Sequence, residues 1–268
     1  MSESATLSAL SILANLKSWG DMYLGKKVSV IIPAKNEAAN VSRLIPEIPK
    51  FVDETIIVVS SETDSTLESI RKFDKSRKII SLIQDNVGKG DAQKKGLSQI
   101  TGDYVCMIDA DGSVNLDEIQ QMLHLLINNN LDLVKGSRYL GEGGSDDLTK
   151  FRSLGNLILT KLTNILFAEN WSDLAYGLVG YRRDAIKKLH LLELQTNKKF
   201  LRYKYGNGFE LETVILTRGS RLGFKIEEFP SFELQRVEGF SNLRAIRDGF
   251  RLLFAILYER FRVRNFNH

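Results

Sequence analysis

From residue 28 onward, compact apolar runs alternate with stretches whose apolar positions recur at helical spacing. The runs at 28–32, 55–59, 79–83 and 104–108 have the length and β-branched content of buried strands, and the segments 37–45, 64–73 and 89–100 between them read as helices. Strands and helices alternating at this spacing need crossover connections, which predicts an α/β fold with a mainly parallel sheet and helices on both faces. In such sheets ligands sit beyond the carboxyl ends of the strands. Further along, Asn115 is placed to cap a helix with Glu118 three residues later and an apolar pattern through Ile127. A strand at 131–135, a helix near 152–168, a strand near 177–182, a helix near 209–220 and a strand near 224–228 follow. The stretch 141–147, rich in Gly, Ser and Asp, reads as a mobile loop able to close over a ligand.

Two further segments flank this alternation. Ala9, Ile12, Leu13, Leu16 and Trp19 stand at helical spacing, and so do Ile246, Phe250, Leu253, Phe254, Leu257 and Tyr258. The chain therefore divides into an amphipathic helical extension (1–27), a main α/β domain (28–240) and a basic amphipathic helix with its tail (241–268). The second helix either lies on a membrane surface or packs its apolar face on the core.

The composition, 43% hydrophobic and 26% charged over 268 residues, is that of an ordinary globular protein. Lys161 and Glu169 interrupt the most apolar stretch, 156–171, so no run approaches the ~18 residues of a membrane-spanning helix. Glu3 precedes the first basic residue, Lys17, so no secretory leader is expected and a cytoplasmic location is. The single cysteine, Cys106, falls in a strand and reads as a buried, inert thiol. The formal net charge of +4 is modest, but Arg244, Arg247, Arg251, Arg260, Arg262 and Arg264 crowd the last helix and its tail, where they can face phosphates or anionic lipid. No nucleic-acid-binding motif accompanies them, and no nucleic-acid partner is expected. The sequence assigns no oligomeric state.

Candidate chemistry centres on Asp109-Ala110-Asp111, directly after the strand at 104–108. Two carboxylates at a strand end, with Gly112 permitting a turn, can direct oxygens to a shared divalent ion such as Mn2+ or Mg2+, which would offset charge on a leaving diphosphate. The same pattern also occurs in solvated acidic turns, so its surroundings decide. Val30-Ile31-Ile32-Pro33-Ala34-Lys35-Asn36-Glu37, Gly88-Lys89-Gly90-Asp91-Ala92 and the aspartate pair occur in order, each at a predicted strand end. Together they resemble the family 2 glycosyltransferases of GT-A fold, above all the branch containing dolichyl-phosphate mannose and glucose synthases. The resemblance extends over about residues 28–260, through Gly136-Ser137-Arg138-Tyr139, Arg152-Ser153-Leu154-Gly155-Asn156, Ser172-Asp173-Leu174, Gly208-Phe209-Glu210-Leu211-Glu212 and Gly239-Phe240-Ser241-Asn242-Leu243.

The resemblance implies a donor site for a UDP- or GDP-sugar built from Pro33, Ala34, Asn36, Glu37, Ser60, Asp64, Lys89, Gly90, Asp109, Ala110 and Asp111, with the metal on Asp109 and Asp111. The chain departs from the family's acidic turn after the second strand: Ser60 stands where an aspartate would accept from the nucleotide base, and Asp64 either helps hold the nucleotide or caps a helix. Arg138 and Arg152 either pair with carboxylates such as Asp146 and Asp147 or, as the resemblance implies, bind an acceptor phosphate, with Arg236 as a further contact. Asp173, Glu210 and Glu212 fall in matched segments on the acceptor side and, with Asp111, are the catalytic candidates; each carboxylate is a general base, a pocket wall or a helix surface. Trp171 is either core or a sugar platform.

The activity implied is inverting transfer of a sugar onto a polyprenyl phosphate at a membrane face contacted peripherally. A soluble hydroxyl acceptor on the same fold, and a non-catalytic nucleotide-sugar-binding scaffold, stand as alternatives. An anionic phosphate needs little help from a base, whereas a hydroxyl needs one.

Overall fold

The computed structural model describes residues 23–73, 78–194, 199–200, 203–239 and 241–262. The helix expected over 9–19 and Arg264 lie outside them.

Four strands, β1 (Val28–Ala34), β2 (Glu54–Val59), β3 (Ile79–Ile83) and β4 (Tyr104–Met107), alternate with α1 (Ala38–Glu47), α2 (Ser65–Arg71) and α3 (Lys89–Leu97). Each β-to-β step is a parallel crossover, with β1 pairing β2 on one side and β4 on the other. After α4 (Asp117–Asn128) come β5 (Leu133–Ser137), the two-residue β6 (Gly144–Ser145), α5 (Lys150–Phe167), β7 (Val179–Arg182) and α6 (Arg183–Lys188). A short hairpin of β8 (Lys199–Phe200) and β9 (Tyr203–Lys204) leads to α7 (Glu210–Arg221), β10 (Ile226–Pro230), β11 (Phe232–Glu233) and α8 (Ala245–Phe261).

The central sheet has seven strands in the order β10-β5-β7-β4-β1-β2-β3. All neighbours run parallel except β7, which lies antiparallel between β4 and β5. The period of two along each strand sends alternate residues to opposite faces. Val28, Val30 and Ile32 pack with Val41, Ile45, Ile119 and Leu123 from α1 and α4. Ile31, Ile56, Val58 and Met107 face the other way, toward Leu97, Leu211, Ile215 and Ile256 from α3, α7 and α8. Cys106 is wholly buried, and burial pushes its thiol up to about 12. Trp171 belongs to the second cluster, which makes it core.

Three details go beyond the sequence expectation. Glu118 does not reach back to a helix cap; its carboxylate accepts from Ser231 Oγ and, at 3.1 Å, from the Phe232 amide, tying α4 to the turn between β10 and β11. The loop at 141–147 is stitched to the body by parallel pairing of β6 with β11. The last helix is locked down by buried ion pairs: Arg251 donates to both Glu210 oxygens, and Arg218 and Tyr205 converge on Glu259 at 2.9 and 2.8 Å.

Candidate active site

The carboxyl ends of β1 and β4 open into a cleft of about 340 Å³. Pro33, Ala34 and Glu37 reach it from the end of β1, Lys89 from the start of α3, and Asp109, Ala110 and Asp111 from the end of β4. Two glycines let α3 begin so close to the loop at 206–208. Gly88 has φ +124°, and a side chain there would meet the Asn207 carbonyl at 2.0 Å; at Gly90 one would meet the Gly206 and Gly208 carbonyls at 2.7 Å. This packing brings Lys89 Nζ to 2.7 Å from Asp109 and 2.8 Å from Glu212, so both carboxylates raise its basicity against the opposing effect of burial.

Asp111 is held through one oxygen: Oδ1 accepts from the Ser113 amide at 3.1 Å and hydroxyl at 2.7 Å. Its Oδ2 takes a hydrogen bond from Arg236 at 2.8 Å, while the same guanidinium donates to Glu37 at 2.9 Å. Arg236 thus bridges the Asp111 and Glu37 carboxylates.

Asp64, Ser60 and Asn36 do not line the cleft. Asp64 caps α2 through the Thr66 amide and also accepts from Ser60 Oγ at 2.7 Å and the Asn36 amide at 3.1 Å. Burial opposes its ionisation, but those bonds outweigh burial and lower its pKa. Asn36 itself has φ +57°, a left-handed turn that carries the chain from β1 into α1.

The opposite wall is organised around Arg138 at the end of β5. Its Nε donates to Asp173 at 2.7 Å, and its other nitrogens donate to Asp173 and Glu233 at 3.0 Å, over the face of Tyr176. Asp173 is fully buried and also accepts from Asn156. Burial acts to raise its carboxyl, yet Lys135 and Arg138 hold it down at about 2. Arg152 pairs with Asp147 at 3.2 Å and stays partly open to solvent. Glu210 turns away, bound to Arg251 and the Gly206 and Gly208 amides, and does not line the cleft; Glu212 does.

The cleft therefore brings together Pro33, Ala34, Glu37, Lys89, Asp109, Ala110, Asp111, Arg138, Arg152, Glu212 and Arg236. Asn36, Ser60, Asp64, Gly90, Asp173 and Glu210 do not line it. Sequence reasoning overlooked Glu233, Phe209 and Tyr176, which also line it. Glu233 is an isolated carboxylate in a strand-like stretch, with no local pattern to mark it.

Among the described residues no group of three or more His, Cys, Asp or Glu side chains is arranged to hold a metal. Asp109 and Asp111 nevertheless suit a hard divalent ion that draws its remaining ligands from phosphate and water. Gly177 preserves the space, because a side chain there would sit 2.8 Å from Asp109 Oδ2.

South of the aspartates the cleft runs into an apolar groove of about 330 Å³ between α5 and α8, lined by Phe151, Ile158, Leu159, Ile246, Phe250 and Leu253. Arg138, Arg152, Ala175, Leu243 and Leu252 line both cavities.

Comparison with known proteins agrees with this architecture. The chain is 25% identical over 239 residues to the low-salt glycan biosynthesis hexosyltransferase Agl6 of Haloferax volcanii, covering 86% of this chain and 53% of that protein. It is 26% identical over 230 residues to the dolichyl-phosphate beta-glucosyltransferase ALG5A of Trichomonas vaginalis, covering 79% and 67%. The chain thus spans about half the length of the first of these relatives and two thirds of the second. Glucosyl-3-phosphoglycerate synthase from Mycobacterium tuberculosis, solved with Mn2+, uridine diphosphate and phosphoglyceric acid, superposes with a TM-score of 0.63 at 21% identity, over 90% of this chain and 81% of that one. This likeness establishes the GT-A fold. The model of glycosyl transferase family 2 matches residues 29–190, and the chain belongs to that family.

Proposed function

We propose that the protein transfers a sugar, with inversion, from a UDP- or GDP-sugar to the phosphate of a polyprenyl-type lipid at a membrane face. One observation carries the choice of acceptor: the polar cleft is continuous with the apolar groove between α5 and α8, and Arg138 and Arg152 stand at the junction. An amphiphile with an anionic head and a long apolar tail matches that change of lining. A small polar acceptor would leave the groove unused. The names of two relatives, both dolichyl-phosphate beta-glucosyltransferases, support the same reading.

The electrostatics also favour an acceptor that arrives already ionised. Each carboxylate lining the cleft is engaged by a cation: Asp109 and Glu212 by Lys89, Asp111 and Glu37 by Arg236, Asp147 by Arg152, and Glu233 by Arg138. A paired carboxylate is a poor general base, because accepting a proton would forfeit its ion pair. A phosphate oxygen needs no such help.

Asp109 and Asp111 would hold Mn2+ or Mg2+, which when bound supplies positive charge to the departing diphosphate. Lys89 would donate to the same diphosphate from the start of α3, and Pro33, Ala34 and Glu37 would shape the donor's nucleoside end. Arg138 is fixed in advance by Asp173 and Glu233, so its guanidinium would meet the acceptor phosphate with little loss of ordering. Arg152 is the more adaptable contact.

The test combines the purified protein with Mn2+, a panel of UDP- and GDP-sugars and a short-chain polyprenyl phosphate, and follows product mass. A glycosylated lipid phosphate is expected. Turnover of a water-soluble hydroxyl acceptor with none of the lipid phosphate would overturn the acceptor assignment, and tight nucleotide-sugar binding without turnover would make the protein a scaffold.

A further inference from the structure

Lys89 and Arg236 are arranged alike. Each bridges one of the paired aspartates to a glutamate deeper in the wall: Lys89 joins Asp109 and Glu212 at 2.7 and 2.8 Å, and Arg236 joins Asp111 and Glu37 at 2.8 and 2.9 Å. We propose that these two cations neutralise the aspartates while no metal is bound, and that Glu212 and Glu37 are the seats to which they withdraw when a divalent ion takes Asp109 and Asp111. The proposal rests on the metal-site reading given above.

Three observations support it. The first is which oxygen is contested. Ser113 occupies Asp111 Oδ1 with two hydrogen bonds, so Oδ2 is the oxygen left for a metal, and Oδ2 is the one that Arg236 holds. An ion and a guanidinium cannot share that lone pair closely, since both are positive. The second is that the seats are fixed independently. Glu37 accepts from Asn40 Nδ2 at 2.5 Å and Glu212 from Gln93 Nε2 at 2.9 Å, so neutral amides keep each glutamate in place whatever its cation does. The backbone carrying Arg236 is anchored as well, by the Val237 amide to the Asp111 carbonyl at 3.1 Å and the Leu234 amide to the Ser113 carbonyl at 2.8 Å. Only side chains need to move.

The third is charge. Glu37, Asp109, Asp111 and Glu212 are four carboxylates sharing two cations, a formal charge of −2 that one divalent ion would cancel. Expelling either cation would undo that balance in a partly buried site. Withdrawal to a glutamate keeps the balance and leaves Lys89 and Arg236 with free N–H groups beside the metal, aimed where a diphosphate would lie. Glu37 then acts on the metal as a positioning residue, deciding how readily Arg236 releases Asp111.

The experiment measures Mn2+ binding to the full chain without nucleotide, from the loss of the free-ion electron paramagnetic resonance signal. Removing the competing charge with Arg236→Gln should tighten Mn2+ binding by roughly tenfold. Removing the seat with Glu37→Gln leaves Arg236 with only Asp111 and should weaken binding by roughly threefold, an effect of opposite sign that general damage to the fold would not produce. The double variant should bind about as tightly as Arg236→Gln. Arg236→Lys keeps the charge and should stay near the wild-type value, whereas Arg236→Met removes it and carries the comparison, with the same tightening expected, if the glutamine variant fails to fold. Shifts of the same sign in Arg236→Gln and Glu37→Gln, or affinities indistinguishable from wild type, would overturn the proposal while leaving the metal site intact. No Mn2+ binding by any variant would remove the metal site, and the proposal with it.

Discussion

Asp173 and Asp111 are both candidates for catalysis by sequence, yet their surroundings give them opposite work. Asp173 is buried with every oxygen engaged, and its carboxyl is held at about 2. Because that value lies below the ~3.9 of an unfolded aspartate, the folded state gains about 2 kcal/mol from this group above pH 4 and loses it as pH falls from 4 toward 2. Asp173→Asn should therefore be less stable than wild type at pH 7, and the difference should shrink below pH 4, as followed by urea unfolding across pH. Asp111 has one oxygen committed to Ser113 and one to a displaceable cation. Its replacement by Asn should leave the unfolding midpoint nearly unchanged and lower metal-dependent kcat by on the order of 10²-fold, measured by nucleotide release. A wild-type rate in that variant would exclude the aspartate from metal binding.

At the scale of elements, the join between α7 and α8 carries the most concentrated polar energy. Arg251 and Glu210 are each 1% exposed, and Arg218 and Glu259 are each 0% exposed. Breaking the first pair with Arg251→Met strands Glu210 in the core and should cost about 3–5 kcal/mol, read from denaturant unfolding, whereas converting both partners to apolar residues should recover much of it. The strands and helices themselves were legible, because apolar periodicity reports burial directly: β1, β2 and β3 fall where their runs of Val and Ile stand. Ion-pair partners were not. Nothing near Glu210 in sequence points to Arg251, forty-one residues away, and Arg138 reads equally well as a partner of Asp146 or Asp147 until the fold brings Asp173 beside it. Nor does a four-residue strand such as β7 announce its direction, which is set by the space left between its neighbours. The order of the motifs located the cleft; the division between residues that face it and residues that hold those in place needed three dimensions.

At the scale of the molecule, α5 and α8 pack together and leave two apolar stripes outside. Phe151, Leu154, Ile158 and Ile165 form one, and Ile246, Phe250, Leu257 and Phe261 the other, with exposures from 39% to 80%. Lys150, Arg152 and Lys161 are the charged residues of α5, while the acids of α8, Asp248 and Glu259, are buried. A cationic rim around an apolar face suits an anionic bilayer and would repel a second copy of itself. No helix among the described residues is long and apolar enough to cross a membrane. We expect the protein to sediment with vesicles containing phosphatidylglycerol and not with neutral ones, and paired Phe151→Ser and Phe250→Ser changes to abolish that binding without altering donor binding. Equal binding to both vesicle types would argue against the charged rim.

The antiparallel strand β7 sets an order of assembly. On the sheet's first half, β3, β2, β1 and β4 bond to one another within the first 107 residues. On the other half, among the described residues, β5 meets only β7 and β10, and neither exists until residues 179–182 and then 226–230 have been made. Until then the wholly buried Val105, Cys106 and Met107 form a bare edge, and β5 waits alone. During synthesis four parallel strands can thus pair while Lys89 still lacks Glu212 and Asp111 still lacks Arg236, so a ribosome stalled between the two halves would hold an unfinished cleft beside an adhesive edge.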